Sequence, residues 1–200
     1  MRRLTIIALL ATLPQVAAVA QETSAPEIEP RYVEEINALL ADERVRESMA
    51  HILDIEPQSR RDLIELTEIP APPFGEEERA ARFAEMLREA GLTDVTIDEE
   101  GNAIGRRPGR SSDRVVAYAA HLDTVFPAET DVTVRFDDDK MFAPGIGDNT
   151  RGLVTVLGVL RAMEHAGIET EADVLFIGNV GEEGLGDLRG VKYMFRDGGP

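Results

Sequence analysis

Apolar residues recur along the chain in two rhythms, one helical and one extended. Val33, Ile36, Leu40, Val45, Met49 and Ile52 fall near the helical period of about 3.6 residues and predict one helix over 31–54. A second helix is predicted over 59–69 with Ser59 as its N-cap. Pro70, Pro72 and Pro73 then break the chain. Glu76, Glu77 and Glu78 open a third helix, where acids suit the positive end of the dipole, and Gly91 ends it. A fourth helix over 149–166 places Leu153, Val156, Leu157 and Leu160 on one face and stops at Gly167. Short strands are predicted over 95–97 and 102–105. Longer ones over 114–120 and 173–179 carry near-continuous apolar runs, which predict burial on both faces. The segments 132–136 and 140–142 flank Asp137, Asp138 and Asp139 as a hairpin. Strands alternating with helices imply an α/β layered sheet.

The first residues follow a different logic. Arg2 and Arg3 precede the apolar stretch Leu4–Leu13, and Ala18-Val19-Ala20 offers a small-residue cleavage pattern. This is the makeup of a signal peptide, cleaved after Ala20, and it predicts export to a periplasmic or secreted location. The segment is short for a span and contains Pro14 and Gln15, so no stable membrane anchor is expected. The expected organisation is a signal peptide over 1–20, a lead-in and helix over 21–58, and an α/β domain over 59–200.

Composition narrows the function classes. The chain has 200 residues, with 38 Asp+Glu against 21 Lys+Arg and a net charge of -17. Such a surface repels phosphate backbones and anionic lipid, so no nucleic-acid partner is expected. It suits a protein that holds cations or acts on small solutes. With no Cys, disulfides, thiolate metal sites and cysteine nucleophiles are excluded.

Three short stretches carry candidate chemistry, each where a strand or hairpin runs out. Ligands gather outside the carboxyl ends of strands in open α/β sheets. The first stretch is His121-Leu122-Asp123. In extended chain His121 and Asp123 point to the same side, and a metal-ligating imidazole needs an acceptor on its second nitrogen. Taken alone, the pattern also fits a structural histidine beside a solvated aspartate. The second is Gly145-Ile146-Gly147-Asp148, where Asp148 could bridge two metal ions or simply cap the following helix. The third is Gly181-Glu182-Glu183-Gly184, where one carboxylate could bind a metal and its neighbour act as a base, or both could belong to a charged turn. Together the three offer the N and O donors that divalent cations prefer. His51 and His165 fall in predicted helices and read as surface or packing residues, and Asp137–Asp139 reads as a solvated turn.

These stretches, taken as His121-Leu122-Asp123-Thr124-Val125, Gly145-Ile146-Gly147-Asp148 and Gly181-Glu182-Glu183-Gly184, resemble the motif set of the di-zinc exopeptidases and amidohydrolases. That family includes aminotripeptidase (peptidase T), glutamate carboxypeptidase, aminoacylase and succinyl-diaminopimelate desuccinylase. The resemblance runs from about Ser59 onward and includes the Pro-rich break followed by Gly75-Glu76-Glu77. The stretches 121–127 and 181–190 are most similar to the aminotripeptidase branch.

The resemblance implies a three-layer α/β/α catalytic domain with a mostly parallel mixed sheet, truncated before the lid or dimerisation domain. It implies that His121, Asp148 and Glu183 are zinc ligands, with Asp148 bridging two ions. It implies that Asp123 orients His121, that Glu182 is the general base, and that the Asp148-Asn149 peptide bond is cis. A further carboxylate ligand and a late histidine of the family have no counterpart in these 200 residues. The chain is therefore expected to be the N-terminal part of a longer enzyme, in which a homodimer through the lid domain is open. The implied function is hydrolysis of amide bonds in short peptides or N-acyl amino acids. A catalytically silent binding protein on the same fold is the alternative, and the intact Glu182 argues against it.

Overall fold

The computed structural model describes residues 28–111 and 113–197. The expected signal peptide and the lead-in over 21–27 lie outside the described residues. Four helices come first: α1 (Pro30–Ala41), α2 (Glu43–Asp54), α3 (Glu56–Thr67) and α4 (Glu77–Glu89). Strands β1 (Asp94–Ile97), β2 (Ala103–Arg107) and β3 (Val115–His121) follow, then the hairpin strands β4 (Arg135–Asp137) and β5 (Lys140–Phe142). Helix α5 (Arg151–His165), strand β6 (Asp173–Asn179) and helix α6 (Arg189–Met194) complete the order. No helix among the described residues is long and apolar enough to cross a membrane.

The expected α/β architecture with a mixed sheet is present. Strand order is β1-β2-β6-β3. Only β3 and β6 pair in parallel, whereas β1–β2 and β2–β6 are antiparallel. Parallel pairing is thus the minority among these four strands, not the majority expected. The cause is local. β1 and β2 are joined by a tight turn in which Asp98 accepts the amides of Glu100, Gly101 and Asn102, and a turn that short permits only antiparallel pairing.

Helices cover both faces. Leu63 and Leu66 of α3, Phe83 and Leu87 of α4, and Leu153, Leu157 and Leu160 of α5 pack with Val174 and Phe176 of β6 on one side. Met194 and Val191 of α6 meet Ile104, Leu175 and Ile177 on the other. Buried Arg161 of α5 pairs with Asp62 of α3 within the first layer. His51 of α2 stacks on His165 of α5 with ring centroids 3.7 Å apart, a packing role like the one expected.

Three local expectations are corrected. The helix over 31–54 is two helices, because Asp42 leaves helical backbone and its side chain accepts the amides of Arg44 and Val45 as the N-cap of α2. Ser59 lies inside α3 and is not its cap, since Pro57 sits in the first turn, where its missing amide donor costs nothing. The apolar run of β3 is not buried on both faces. β3 is an edge strand paired with β6 alone among the described residues, and Val115, Val116 and Tyr118 are exposed.

Phe83 sits fully buried under the sheet and lies against Gly178, where an added methyl would meet its ring at 2.8 Å. Replacing Phe83→Ala should destabilise the fold by about 3–5 kcal/mol. The effect should appear as a lower urea midpoint with an unchanged slope.

Candidate metal centre

The parallel pair β3–β6 brings two of the three candidate stretches together. His121 lies opposite Asn179 in register, so both strands run out at the same edge. The Leu122 amide extends the pairing by donating to the Asn179 carbonyl at 2.7 Å. Below them, buried Arg79 of α4 donates to the Leu122 carbonyl at 2.7 Å and to the Ile69 carbonyl at 3.0 Å. Burial pushes the Arg79 guanidinium down to about 10, with the nearby Asp123 charge opposing that shift. The Thr124 amide donates to the Ala71 carbonyl at 2.8 Å and ties the Pro-rich segment to the same spot.

The remaining stretch, Gly145-Ile146-Gly147-Asp148, arrives through the turn Ile146–Thr150 ahead of α5. Gly145 starts it at φ +76, and a side chain there would meet Thr124 at 2.6 Å, so glycine is required on both counts. The Asp148-Asn149 peptide bond is cis, as the resemblance implies. Asp148 itself has non-helical backbone, and no side chain caps α5. Its carboxylate instead lies 3.0 Å from His121 Nε2. The helix-cap reading of Asp148 is thereby set aside.

His121 is 8% exposed, and its ring is held from the other side. Nδ1 lies 3.0 Å from the Asp123 main-chain oxygen and 3.6 Å from its carboxylate. A carbonyl only accepts, so Nδ1 carries the proton and donates it there. That tautomer leaves the lone pair of neutral His121 on Nε2, facing Asp148. Glu182 Oε2 stands 3.9 Å from the same nitrogen. Donor atoms of His121, Asp148 and Glu183 all lie within 4.8 Å of one another. All five residues singled out in the sequence are thus gathered in one place.

Asp123 does more than face His121. It is fully buried, and its Oδ1 and Oδ2 accept the main-chain amides of Glu182 at 2.9 Å and Glu183 at 2.8 Å. Burial alone would raise its pKa. The hydrogen bonds from His121, Glu183 and Glu182 outweigh that and hold it below the usual carboxylate range. Sequence reasoning missed this grip, together with Glu76 and Asn102, which also hold the loop; Arg189, read from the sequence as shaping the loop beside the Glu pair, holds it too. Glu76 was expected to serve the α4 dipole, yet its Oε1 accepts the Gly181 amide at 3.1 Å. The only signal for it was its place in Gly75-Glu76-Glu77.

A mixed α/β sheet thus carries an imidazole and carboxylates clustered at its strand ends, a donor set that could hold a metal ion. Residues 117–199 match the model of peptidase family M20/M25/M40. A Pyrococcus abyssi protein named as a LysW-lysine/LysW-ornithine hydrolase is 39% identical over 62% of this chain and 33% of its own length. A Corynebacterium glutamicum succinyl-diaminopimelate desuccinylase is 28% identical over 64% of this chain and 34% of its own length. A Staphylococcus aureus tripeptidase structure aligns with TM-score 0.53 and 26% identity over 64% of this chain and 37% of that one. The chain spans about a third of the length of the curated relatives it matches.

In chelator-treated protein, burial opposes charge on His121, but Asp123 and Asp148 outweigh it and push its pKa from 6.5 up to about 9. The folded value lies above the unfolded one, so this contribution to stability is complete below pH 6.5 and disappears as pH rises through about 9. Imidazole NMR should give a midpoint near 9, and Asp123→Asn should bring it down. A midpoint that stays at 6.5 in the folded chain would contradict this electrostatic picture.

Proposed function

We propose that this chain forms the metal-binding core of an exported hydrolase that cleaves amide bonds of short peptides or N-acyl amino acids. The observation that carries the reading is the cluster of His121, Asp148 and Glu183 donors within 4.8 Å of one another, with Glu182 beside it. One imidazole nitrogen and two carboxylates suit zinc, and the Nδ1 proton already directs the His121 lone pair toward the cluster. His121, Asp148 and Glu183 would hold the metal. Zinc, when bound, supplies Lewis acidity that polarises an amide carbonyl and eases deprotonation of water near neutral pH.

The chain's own residues divide the remaining tasks. The Asp123 carbonyl keeps the His121 ring in one tautomer and orientation. The Asp123 carboxylate fixes the main chain beneath Glu182 and Glu183. Glu182 takes a proton from the attacking water and passes it to the leaving amine. Its side chain is 40% exposed, which leaves it open to substrate. The names of the relatives read hydrolase, desuccinylase and tripeptidase, and these support an amide-cleaving reaction.

Release of free amine from dipeptides, tripeptides and N-succinyl amino acids, with and without chelator, tests the reading. Glu182→Gln keeps the shape and removes the base, so turnover should fall by about 10²–10⁴-fold while zinc content is unchanged. His121→Ala should lower zinc occupancy, measured by metal analysis. Hydrolysis indifferent to both chelator and Glu182→Gln would refute the assignment. Metal binding with no hydrolysis of any such amide would favour the silent binding protein.

A further inference from the structure

The loop that carries Glu182 and Glu183 leaves the sheet at the end of β6, where ladder partners run out. Its four successive amides do not go to water or to main chain. Val180 donates to Asn102 Oδ1 at 3.0 Å, Gly181 to Glu76 Oε1 at 3.1 Å, and Glu182 and Glu183 to the two Asp123 oxygens. Three side chains, drawn from three distant parts of the chain, thus replace a missing strand. Asp123 belongs to the metal centre, but Glu76 touches no metal-facing atom.

Glu76 is 2% exposed and is itself held in place. Its Oε2 accepts from Arg189 Nη2 at 2.7 Å. Arg189 Nη1 donates to the Glu100 side chain at 2.9 Å and to the Glu100 carbonyl at 2.8 Å. The guanidinium also lies over the Phe74 ring, 5.0 Å from its centroid. The Arg189 amide returns to the Gly181 carbonyl at 3.2 Å, and the Gly190 amide to the Val180 carbonyl at 3.0 Å. Gly181 has φ +62, and a side chain there would strike Arg189 at 2.5 Å. Both hydrogen-bonding groups of Gly181 are therefore committed to the Glu76–Arg189 pair.

We infer that Glu76, locked by Arg189, is a positioning residue that sets where Glu183 presents its carboxylate to metal and where Glu182 stands beside it. The inference deepens the metal-centre reading and rests on it. An ordinary buried ion pair would need only to be neutral and packed. This one spends one carboxylate oxygen on the amide immediately before Glu182, so a shift of Glu76 moves the main chain that bears both acids. Partners one layer behind metal ligands commonly change affinity by about 10–100-fold when removed.

The test uses the full chain and cobalt(II) alone, read by competition titration and by the visible spectrum, which reports ligand geometry. Glu76→Ala should weaken cobalt binding by about tenfold or more and change the spectrum. Glu76→Gln keeps an acceptor for the Gly181 amide but turns an NH2 toward Arg189, so its affinity should lie between those of the parent and of Glu76→Ala. Glu76→Asp keeps the charge but withdraws the oxygen from Gly181, and should weaken binding even if the alanine variant does not fold. If the folded variants are less stable to urea yet bind cobalt with the parent's affinity and spectrum, the pair is merely structural and the inference is wrong. His121→Ala and Asp148→Asn separate the two levels. If both abolish binding while Glu76→Asp has no effect, only the positioning role fails. If both bind as the parent does, cobalt sits elsewhere and the metal-centre reading falls with it.

Discussion

A single buried carboxylate organises the site. Asp123 has no exposure, and a charge in that position is tolerable only when every oxygen has a partner. Its partners are the amides of Glu182 and Glu183, with the His121 ring close by. Arg79 contributes at a distance, since its own guanidinium is engaged with the Ile69 and Leu122 carbonyls. The need to satisfy Asp123 thus ties the end of β3 to the loop after β6. Removing that carboxylate would release the loop that bears Glu182 and Glu183 as well as the histidine. Its structural task and its electrostatic task cannot be separated by moving one residue.

The rest of the fold serves this junction. Parallel pairing of β3 with β6 puts both carboxyl ends at one edge, and α5 crosses behind them with Asp148 at its entrance. Such a crossover is the connection that parallel strands require. The two antiparallel strands β2 and β1 extend the sheet on the far side of β6 and contribute Asn102 and Glu100 from the turn between them. Functional side chains sit on loops, but each loop is anchored to a strand end or to a buried side chain. That is how a flexible segment is given a fixed geometry.

Much of this was legible in the sequence, and the reasons are physical. β6 was expected over 173–179 and spans those residues, because a buried strand leaves an uninterrupted apolar run. The Gly91 stop after α4 was legible because its φ of +112 suits glycine. The Asp42 break was not, because the apolar period continues across it while the cap depends on one side chain turning back. Exposure of β3 was not legible either, since periodicity reports the face of a strand and not its position in the sheet. At the site, the grouping of His121, Asp148 and Glu183 was legible because their types and strand-end positions suit metal binding. Glu76 and Asn102 were not. Their partners lie 105 and 78 residues away, and Glu76 is one of 38 acids with nothing in its type to distinguish it.

The charge state of His121 ties these levels together. In the absence of metal its pKa is raised chiefly by Asp123, with Asp148, one of the proposed ligands, adding to the effect. The cluster is therefore an acceptor of positive charge before it is a metal site, and a proton is the smallest occupant it can take. A metal ion held there would compete with the proton for the one Nε2 lone pair, because Nδ1 is committed to the Asp123 carbonyl. Asp148 and Glu183, with donor atoms within 4.8 Å of each other and of His121, would repel each other and splay apart if their backbones were free. They do not, because the main chain at Glu183 is clamped by Asp123 and that at Asp148 is set by a glycine turn. The fold thus holds negative charge in place ahead of the cation, which is the physical content of preorganisation at a metal centre.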